Sequence, residues 1–177
     1  MTRRVLVAGV GNIFLGDDGF GVEVVRRLST QDFPDGVRVA DYGIRGLHLA
    51  YDLAGGGYGL TVLVDATMRG DPPGTVYVVE LDLPDGPPQV TGEALDAHGM
   101  QPDVVLNLVA LLGGDPGRVL LVGCEPAVLA QRMGLSPAVE AAVGTAAGVV
   151  ADLVEEYTDP ETGRKQVPPC VLAFPEK

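Results

Sequence analysis

Five short runs rich in β-branched residues, separated by stretches with helical spacing, constrain the fold of this 177-residue chain more than any other feature. The runs begin at Val5, Val37, Thr61, Thr75 and Val119. Strands that alternate with helices are typical of an α/β sheet covered by helices on both faces. The sequence therefore predicts one α/β domain over residues 1–157, followed by an irregular tail over residues 158–177 that contains four prolines.

The connection between the third and fourth runs indicates that the sheet is mixed. Only Met68 to Gly74 separates them, whereas a parallel crossover needs a dozen or more residues. We therefore expect the fourth strand to be antiparallel. A Pro- and Gly-rich segment from Asp82 to His98 then leads to the third helix.

Four helices are expected from apolar residues at helical spacing. The third should cover about Asp103 to Leu112, and the fourth should begin after an N-cap at Ser136 and end near Tyr157. The first two are predicted to bury the following side chains against the sheet: Val24, Val25 and Leu28 in the first, and Leu47, Ala50, Tyr51 and Ala54 in the second.

Charge and cysteine content exclude several classes of protein. The 24 acidic and 12 basic residues give a formal net charge of −12, which disfavours nucleic acid and anionic membranes as partners. Two cysteines provide neither a disulfide framework nor a thiolate zinc site. No apolar stretch without charges is long enough to span a membrane, and the N-terminus lacks the pattern of a secretory signal, so we expect a cytoplasmic protein.

Several polar residues should meet at one edge of the sheet, because ligands of open α/β sheets bind outside the carboxyl ends of the parallel strands. The residues expected at this rim are Asn12, Asp17, Asp18, Asp41, Asp65 and His98. Carboxylates with one imidazole suit a divalent transition ion, and nickel, zinc and manganese are all compatible with these ligand types. Three protein ligands would leave positions open for water or substrate.

The glycine-rich loop GVGNIFLGDDGFG between the first strand and first helix does not fit a phosphate site. The third glycine of the dinucleotide fingerprint would fall at Phe14, so the pattern is incomplete. Asp17 and Asp18 would also repel a pyrophosphate at close range. A loop of this composition suits a cation.

Each rim residue also has an ordinary structural interpretation. Asp17 or Asp18 can cap the first helix, while Asp41 and Asp65 can shape turns. His98, like His48 on the second helix, can be a solvated side chain. Cys124, at the end of a strand, is expected to be a small buried apolar residue. The coincidence of several polar residues at one rim favours a site.

Six segments of the chain resemble the hydrogenase maturation proteases, the endopeptidases that trim the large subunit of nickel–iron hydrogenases. In family order, over residues 4 to about 155, the segments are VLVAGVGNIFLGDDGFGVEVVRRL, DYGIRGLHLAYDL, VLVDA, HGMQPDVVLNLVALLGG, VLLVGCEP and GLSPAVEAAV. The resemblance implies a three-layer α/β/α fold with a twisted five-stranded sheet.

The resemblance also implies which residues form the site. Asp18, Asp65 and His98 correspond to the family's catalytic, metal-contacting triad, whose first acid is glutamate in some members and aspartate in others. Asn12, Asp17 and Asp41 are expected to support the surrounding loops. The loop after the second strand departs from the family's usual Asp-Gly-Gly-Thr. The residues expected there to recognise the substrate are Tyr42, Gly43, Ile44 and Arg45.

The function implied is removal of the C-terminal extension from a nickel–iron hydrogenase large-subunit precursor after nickel insertion. The nickel is carried by the precursor and serves as the recognition cue, and no organic cofactor is expected. The attacking water would be activated by the metal or by a carboxylate with a raised pKa, an effect that Asp17 and Asp18 would have on each other.

Three other functions stay open at this point. The first is a cysteine hydrolase that uses Cys124 with His98. The second is a non-catalytic, nickel-responsive binding module that holds the large subunit. A residual dinucleotide-binding function would require the glycine-rich loop to accept phosphate.

Overall fold

A computed structural model describes residues 4–83 and 101–159, together with the backbone of residues 170–173. In these parts of the chain, six strands and four α-helices follow one another. The strands are β1 (Val5–Val10), β2 (Val37–Gly43), β3 (Leu60–Ala66), β4 (Val76–Leu81), β5 (Arg118–Cys124) and β6 (Cys170–Ala173). The helices are α1 (Phe20–Leu28), α2 (Gly46–Gly56), α3 (Pro102–Leu111) and α4 (Pro137–Thr158), and a 3-10 turn, Gly16–Gly19, precedes α1.

The sheet is mixed, with the strand order β2-β1-β3-β5-β4-β6. The pairs β2–β1, β1–β3 and β3–β5 are parallel, and β4 is antiparallel to β5. This confirms the predicted α/β fold and the antiparallel direction of the fourth strand, which the short connection before β4 dictates.

The structure adds a sixth strand to the five that were predicted. β6 pairs antiparallel with β4 and lies within residues 158–177, which were expected to be irregular. The remainder of that tail beyond residue 159 lies outside the described residues. Pairing with β6 satisfies backbone groups that β4 would otherwise leave open along the edge of the sheet.

The two faces of the sheet carry different helices. Residues of α1 and α4 share a core cluster with Val5 and Val7 of β1, whereas residues of α2 and α3 cluster with Leu6, Ala8 and Val10. Alternate side chains of β1 therefore point to opposite cores, which explains why this strand is apolar throughout and buried at every position.

The predicted core-facing stripe of α2 was wrong at two positions. Leu47 and Tyr51 are 50% and 57% exposed, whereas Ala50 is buried as predicted, together with Gly46, Leu49 and Leu53. Helical spacing allowed either stripe, because α2 is apolar on two sides. Its outer apolar side is left uncovered by the rest of the described chain.

Helix α4 is long and apolar enough to cross a membrane by length and composition alone. Its residues from Val139 to Val154 supply eight of the 22 buried residues of one core cluster, against α1 and the sheet. The helix begins, as predicted, after Ser136 with Pro137 in its first turn. Packing in the domain core accounts for its hydropathy.

Glycines allow α1 to lie directly on β1 and β3. A Cβ atom at Gly9 of β1 would overlap the carbonyl oxygen of Gly21 and the side chain of Val25. A Cβ atom at Gly21 of α1 would overlap the carbonyl oxygens of Val10 and Val64. These glycines therefore serve close helix–strand packing, which brings the start of α1 to the ends of both strands.

We expect Gly21→Ala to lower the free energy of unfolding by about 2 kcal/mol, because backbone oxygens cannot move away as a flexible side chain can. Gly148→Ala is the matched control: it lies on the exposed side of α4 with nothing within 4 Å of its would-be Cβ, and the better helix propensity should stabilise by about 0.5–1 kcal/mol. Urea denaturation of both variants measures the difference. Equal stabilities would contradict the packing role of Gly21.

Candidate active site at the carboxyl rim of the sheet

The predicted rim residues on the parallel strands lie at one edge of the sheet. Asp41 pairs in register with Gly9 of β1, which in turn pairs with Val64 of β3, the residue before Asp65. Asn12 and Asp18 follow the end of β1, and the 3-10 turn that carries Asp18 packs against β3. The topology therefore brings Asp18 and Asp65 to neighbouring strand ends.

Asp18 is held by the backbone of the glycine-rich loop. Its Oδ2 accepts a hydrogen bond of 2.7 Å from the N–H of Asn12, whose own Oδ1 accepts one of 2.9 Å from the N–H of Phe14. Gly11 has a φ of +130°, and a Cβ atom there would overlap the carbonyl oxygen of Asp18. The loop is thus wrapped around an aspartate and has no open cradle for a phosphate.

Asp17 is fully buried and joins this loop to the segment that connects β5 with α4. Its carboxylate accepts hydrogen bonds from the N–H groups of Ala127 and Val128, both at 2.8 Å. It also accepts bonds from the N–H of Ser136 at 2.6 Å and from the hydroxyl of Ser136 at 2.9 Å. Asp17 therefore does not cap α1, and its side chain does not face the rim, because its carboxylate is bonded within this junction.

The pKa of Asp17 contradicts the expectation that Asp17 and Asp18 raise each other's pKa. Burial acts to raise the pKa of Asp17, but the hydrogen bonds from Ser136, Val128 and Ala127 outweigh it and hold the pKa below its ordinary value. Asp17 therefore remains ionised as a structural anion, and it is not the carboxyl group that retains a proton.

Asp65 is the carboxyl group whose pKa is raised. Burial moves the pKa of Asp65 well above its ordinary value, the charge of Asp18 adds to the effect, and the N–H of Ala66 opposes it. Two carboxyl groups that interact in this way can divide their roles, because one keeps a proton while the other ionises. A perturbed pKa of this origin at a strand end is typical of a functional site.

His98 lies outside the described residues, as do all residues from 84 to 100. Its meeting with Asp18 and Asp65 stays a prediction. Within the described ranges, no group of three His, Cys, Asp or Glu side chains is arranged to hold a metal ion. The described part of the site consists of the two carboxyl groups.

Cys124 is poorly suited to be a nucleophile. The residue is fully buried at the end of β5, and burial, followed by the charges of Asp17 and Glu125, raises the pKa of its thiol to about 12. A reactive cysteine requires the opposite, an accessible thiol with a lowered pKa. The structure therefore argues against the cysteine hydrolase, and Cys124 matches the buried apolar role that was expected.

Glu125, which the sequence reasoning missed, is a buried acid beside the rim. It is 6% exposed, and its carboxylate accepts hydrogen bonds from the N–H groups of Arg69 at 2.7 Å and Gly70 at 3.3 Å. The guanidinium of Arg69 lies 4.3 Å from the centroid of the Tyr77 ring. The signal available in the sequence was an acid directly after the apolar run of β5. Through its hydrogen bonds, Glu125 shapes the loop that follows β3.

The residues of the loop after β2 that were predicted to recognise the substrate differ in exposure. Ile44 is 67% exposed and Arg45 is also exposed, whereas the ring of Tyr42 is 4% exposed and its hydroxyl donates to Asp52 at 2.6 Å. Gly43 has a φ of +52°, and its carbonyl accepts a bond of 3.0 Å from the N–H of Gly11. Tyr42 therefore supports the loop from below, which argues against its direct contact with a substrate.

Asp41 is exposed, and it takes part in the loop through its backbone. The guanidinium of Arg45 donates to the carbonyl oxygens of Asp41 and, at 3.1 Å, of Tyr42. These bonds fix the position of Arg45 at the end of β2. The supporting role expected of the Asp41 side chain stays a prediction.

Comparison with known proteins shows similarity over nearly the whole domain. A family model described as hydrogenase maturation protease matches residues 22–153. The hydrogenase 2 maturation protease of Escherichia coli K12 is 32% identical over 142 residues, which cover 79% of this chain and 84% of that protein. The hydrogenase expression/formation protein HupM of Azotobacter chroococcum is 32% identical over 97% of this chain and 83% of that protein.

Solved structures show the same similarity. The hydrogenase maturating endopeptidase HybD from E. coli is 31% identical and superposes with a TM-score of 0.67, covering 86% of this chain and 93% of that chain. The hydrogenase 2 maturation peptidase of a Thaumarchaeota archaeon is 34% identical, with a TM-score of 0.64 over 85% of this chain and 97% of that chain.

We expect Asp17→Asn to lower the free energy of unfolding at pH 7 by about 3 kcal/mol, because an amide cannot accept all the hydrogen bonds that the carboxylate accepts. The folded-state pKa of Asp17 is lowered, so the stabilisation is complete above the unfolded value of about 4 and is lost as pH falls through the folded value. The difference between wild type and variant should therefore narrow below pH 4.

Urea denaturation at several pH values measures this difference. Ser136→Ala, which removes the one hydroxyl donor to Asp17, is the milder control and should cost about 1.5 kcal/mol. A gap between wild type and Asp17→Asn that stays constant from pH 7 to pH 2 would show that the carboxylate is not held as described.

Proposed function

Since the chain belongs to the hydrogenase maturation protease family, we propose that it removes the C-terminal extension of a nickel–iron hydrogenase large-subunit precursor after nickel insertion, with the nickel as the recognition cue. The family model and the relatives establish the coarser point that the protein is a peptide hydrolase of hydrogenase maturation. The precursor, the nickel dependence and a cytoplasmic location are the proposed part.

The electrostatic coupling between Asp18 and Asp65 is the observation that carries this proposal. Burial at the strand end, and then the charge of Asp18, raise the pKa of Asp65, so the doubly ionised pair is unfavourable there. A divalent cation between them would relieve both the repulsion and the burial of charge. Oxygen ligands with one imidazole suit Ni²⁺, so a precursor that already carries nickel fits this pair together with His98.

Contact with the nickel of the precursor would then bring the scissile peptide bond to the rim, and positioning accounts for much of the rate gain. Asp65 retains its proton to a higher pH than an ordinary aspartate. A bound nickel ion would favour the ionised form of both carboxyl groups, so the pair would then serve as the proton acceptor for attack of water on the peptide carbonyl. This supports activation of the water by a carboxyl group.

A non-catalytic nickel-responsive module is the remaining alternative from another functional class. The names of the relatives as proteases and endopeptidases speak against it. The dinucleotide-binding alternative has no support, because Gly9, Gly11 and Gly21 are packed against protein atoms.

The decisive test uses nickel-loaded and nickel-free large-subunit precursor, with mass spectrometry of the precursor's C-terminus. We expect cleavage of the nickel-loaded form only, and a loss of at least about 100-fold in rate for Asp65→Asn, which removes one of the two carboxyl groups. Asp35→Asn, at an exposed position before β2, is the matched control and should cleave normally.

Equal cleavage of both precursors would refute the role of nickel as a cue. No change of mass with either precursor would refute the protease function in favour of the binding module. Full activity of Asp65→Asn would remove the carboxyl pair from the mechanism while leaving the nickel cue intact.

We expect Cys124→Ala to process the nickel-loaded precursor at nearly the wild-type rate. The thiol is buried and its pKa is raised to about 12, so it contributes packing and no nucleophile. Rates of C-terminal processing by both proteins measure this directly. Abolished cleavage by a variant that retains wild-type circular dichroism would restore the cysteine hydrolase.

A further inference from the structure

A second surface lies at the outer edge of the sheet, on β2. This strand of seven residues stands last in the strand order and pairs with β1 alone. In a parallel ladder, a strand uses alternate residues to bond each neighbour, so the edge of β2 keeps backbone donors and acceptors for another strand. Within the described residues, no element covers this edge.

A groove with a volume of about 240 Å³ runs beside this edge, between β2 and α2. Ala40 and Tyr42 of β2 and His48 and Tyr51 of α2 are among the residues that line it. Such a groove beside a free strand edge is the arrangement that binds extended peptides: backbone bonds hold the peptide, and alternate side chains enter the groove.

At the end of the groove far from the rim, the charged side chains form an ion pair. Nη1 of Arg38 lies 3.2 Å from Oδ2 of Asp52, which also accepts the hydroxyl of Tyr42. Both charges are thus paired with each other, and this end offers no uncompensated charge to a ligand.

The end near the rim carries the guanidinium of Arg45, with His48 and the exposed Asp41 beside it. The guanidinium is held by backbone carbonyl oxygens. In the described part of the chain, no carboxylate lies within ion-pair distance of Arg45. On a protein with a net charge of −12, a guanidinium without an ion-pair partner attracts an acidic side chain.

An apolar stripe continues the same surface. Leu47 and Tyr51 of α2 are 50% and 57% exposed, and Ile44, directly before the helix, is 67% exposed. Their spacing of three and four residues places them on one side of the chain segment. Three large exposed apolar side chains next to a groove are more than scattered surface residues.

We propose that an extended segment of the large-subunit precursor adds to the free edge of β2, with an acidic side chain against Arg45 and His48 and an apolar side chain against Leu47 and Tyr51. This rests on the function proposed above. A second copy of the chain is a poorer occupant, because both copies carry a net charge of −12 and repel each other.

The groove is continuous with the carboxyl pair. Gly43 ends β2 and accepts a hydrogen bond from Gly11, which contacts Asp18. Strands lie about 4.8 Å apart, so a segment on β2 lies roughly 10 Å from β1 and about 14 Å from β3. About four extended residues span this distance, so one segment can pair with β2 and reach Asp65.

The test compares KM and kcat for processing of the nickel-loaded precursor. We expect Arg45→Ala and Leu47→Ser each to raise KM by about tenfold, with kcat unchanged, because they remove binding remote from the reacting bond. Arg45→Lys, which keeps the charge, should recover part of the loss. Matched controls are Arg26→Ala on α1 and Leu111→Ser on α3, both exposed positions away from the groove.

Hydrogen exchange provides a readout that a loosened loop would not mimic. Precursor bound to the Asp65→Asn enzyme should slow hydrogen exchange at the β2 amides when the groove is otherwise wild type. The slowing should be smaller when Leu47→Ser is also present. The proposal would be overturned if Arg45→Ala and Leu47→Ser had the same KM as the control variants while the wild type cleaved the precursor. It would also be overturned if bound precursor left the β2 amides unprotected. Either result would leave the protease function intact. Failure of the wild type to cleave would overturn both.

Sedimentation of the free enzyme addresses the rival occupant. We expect a monomer in which the β2 amides that face away from β1 exchange freely. Self-association that Leu47→Ser abolishes would assign the groove to a second copy and overturn the proposal.

Discussion

The carboxylate of Asp17 is the constraint on which the geometry of the site depends. It accepts hydrogen bonds from Ala127, Val128 and Ser136, and so fixes the segment after β5 to the turn that follows β1. Backbone bonds between Asp17 and Val128 and between Gly16 and Arg132 reinforce the junction. The turn that Asp17 anchors in this way also carries Asp18, whose carboxylate accepts a hydrogen bond from the N–H of Asn12.

Close backbone packing provides the other half of the geometry. Gly9 and Gly21 let α1 approach β1 and β3, so that the turn carrying Asp18 lies beside the strand that ends at Asp65. Burial, and then the charge of Asp18, raise the pKa of Asp65. Packing that tolerates no side chain at two positions thus places a buried carboxyl group near a second one, and a proton or the proposed cation of the substrate would relieve their repulsion.

Local sequence patterns predicted the elements well, because strand runs, the cap at Ser136 and the short connection before β4 depend on neighbouring residues. They failed where a distant partner decides. The role of Asp17 depends on residues more than a hundred positions away. Tyr42 is buried in the core cluster that it forms with residues of β1 and α2, and the side of α2 that faces the core depends on which of two apolar stripes meets the sheet. The pairing of β6 with β4 is likewise a long-range contact.

The central claim is that Asp18 and Asp65 act as one unit toward a single divalent ion. Diffraction at the nickel absorption edge from crystals soaked in Ni²⁺ tests it most directly. The account predicts one anomalous peak within about 2.5 Å of a carboxylate oxygen of each aspartate and of a ring nitrogen of His98. A peak bound to only one of the two aspartates, or no peak at this rim, would contradict it.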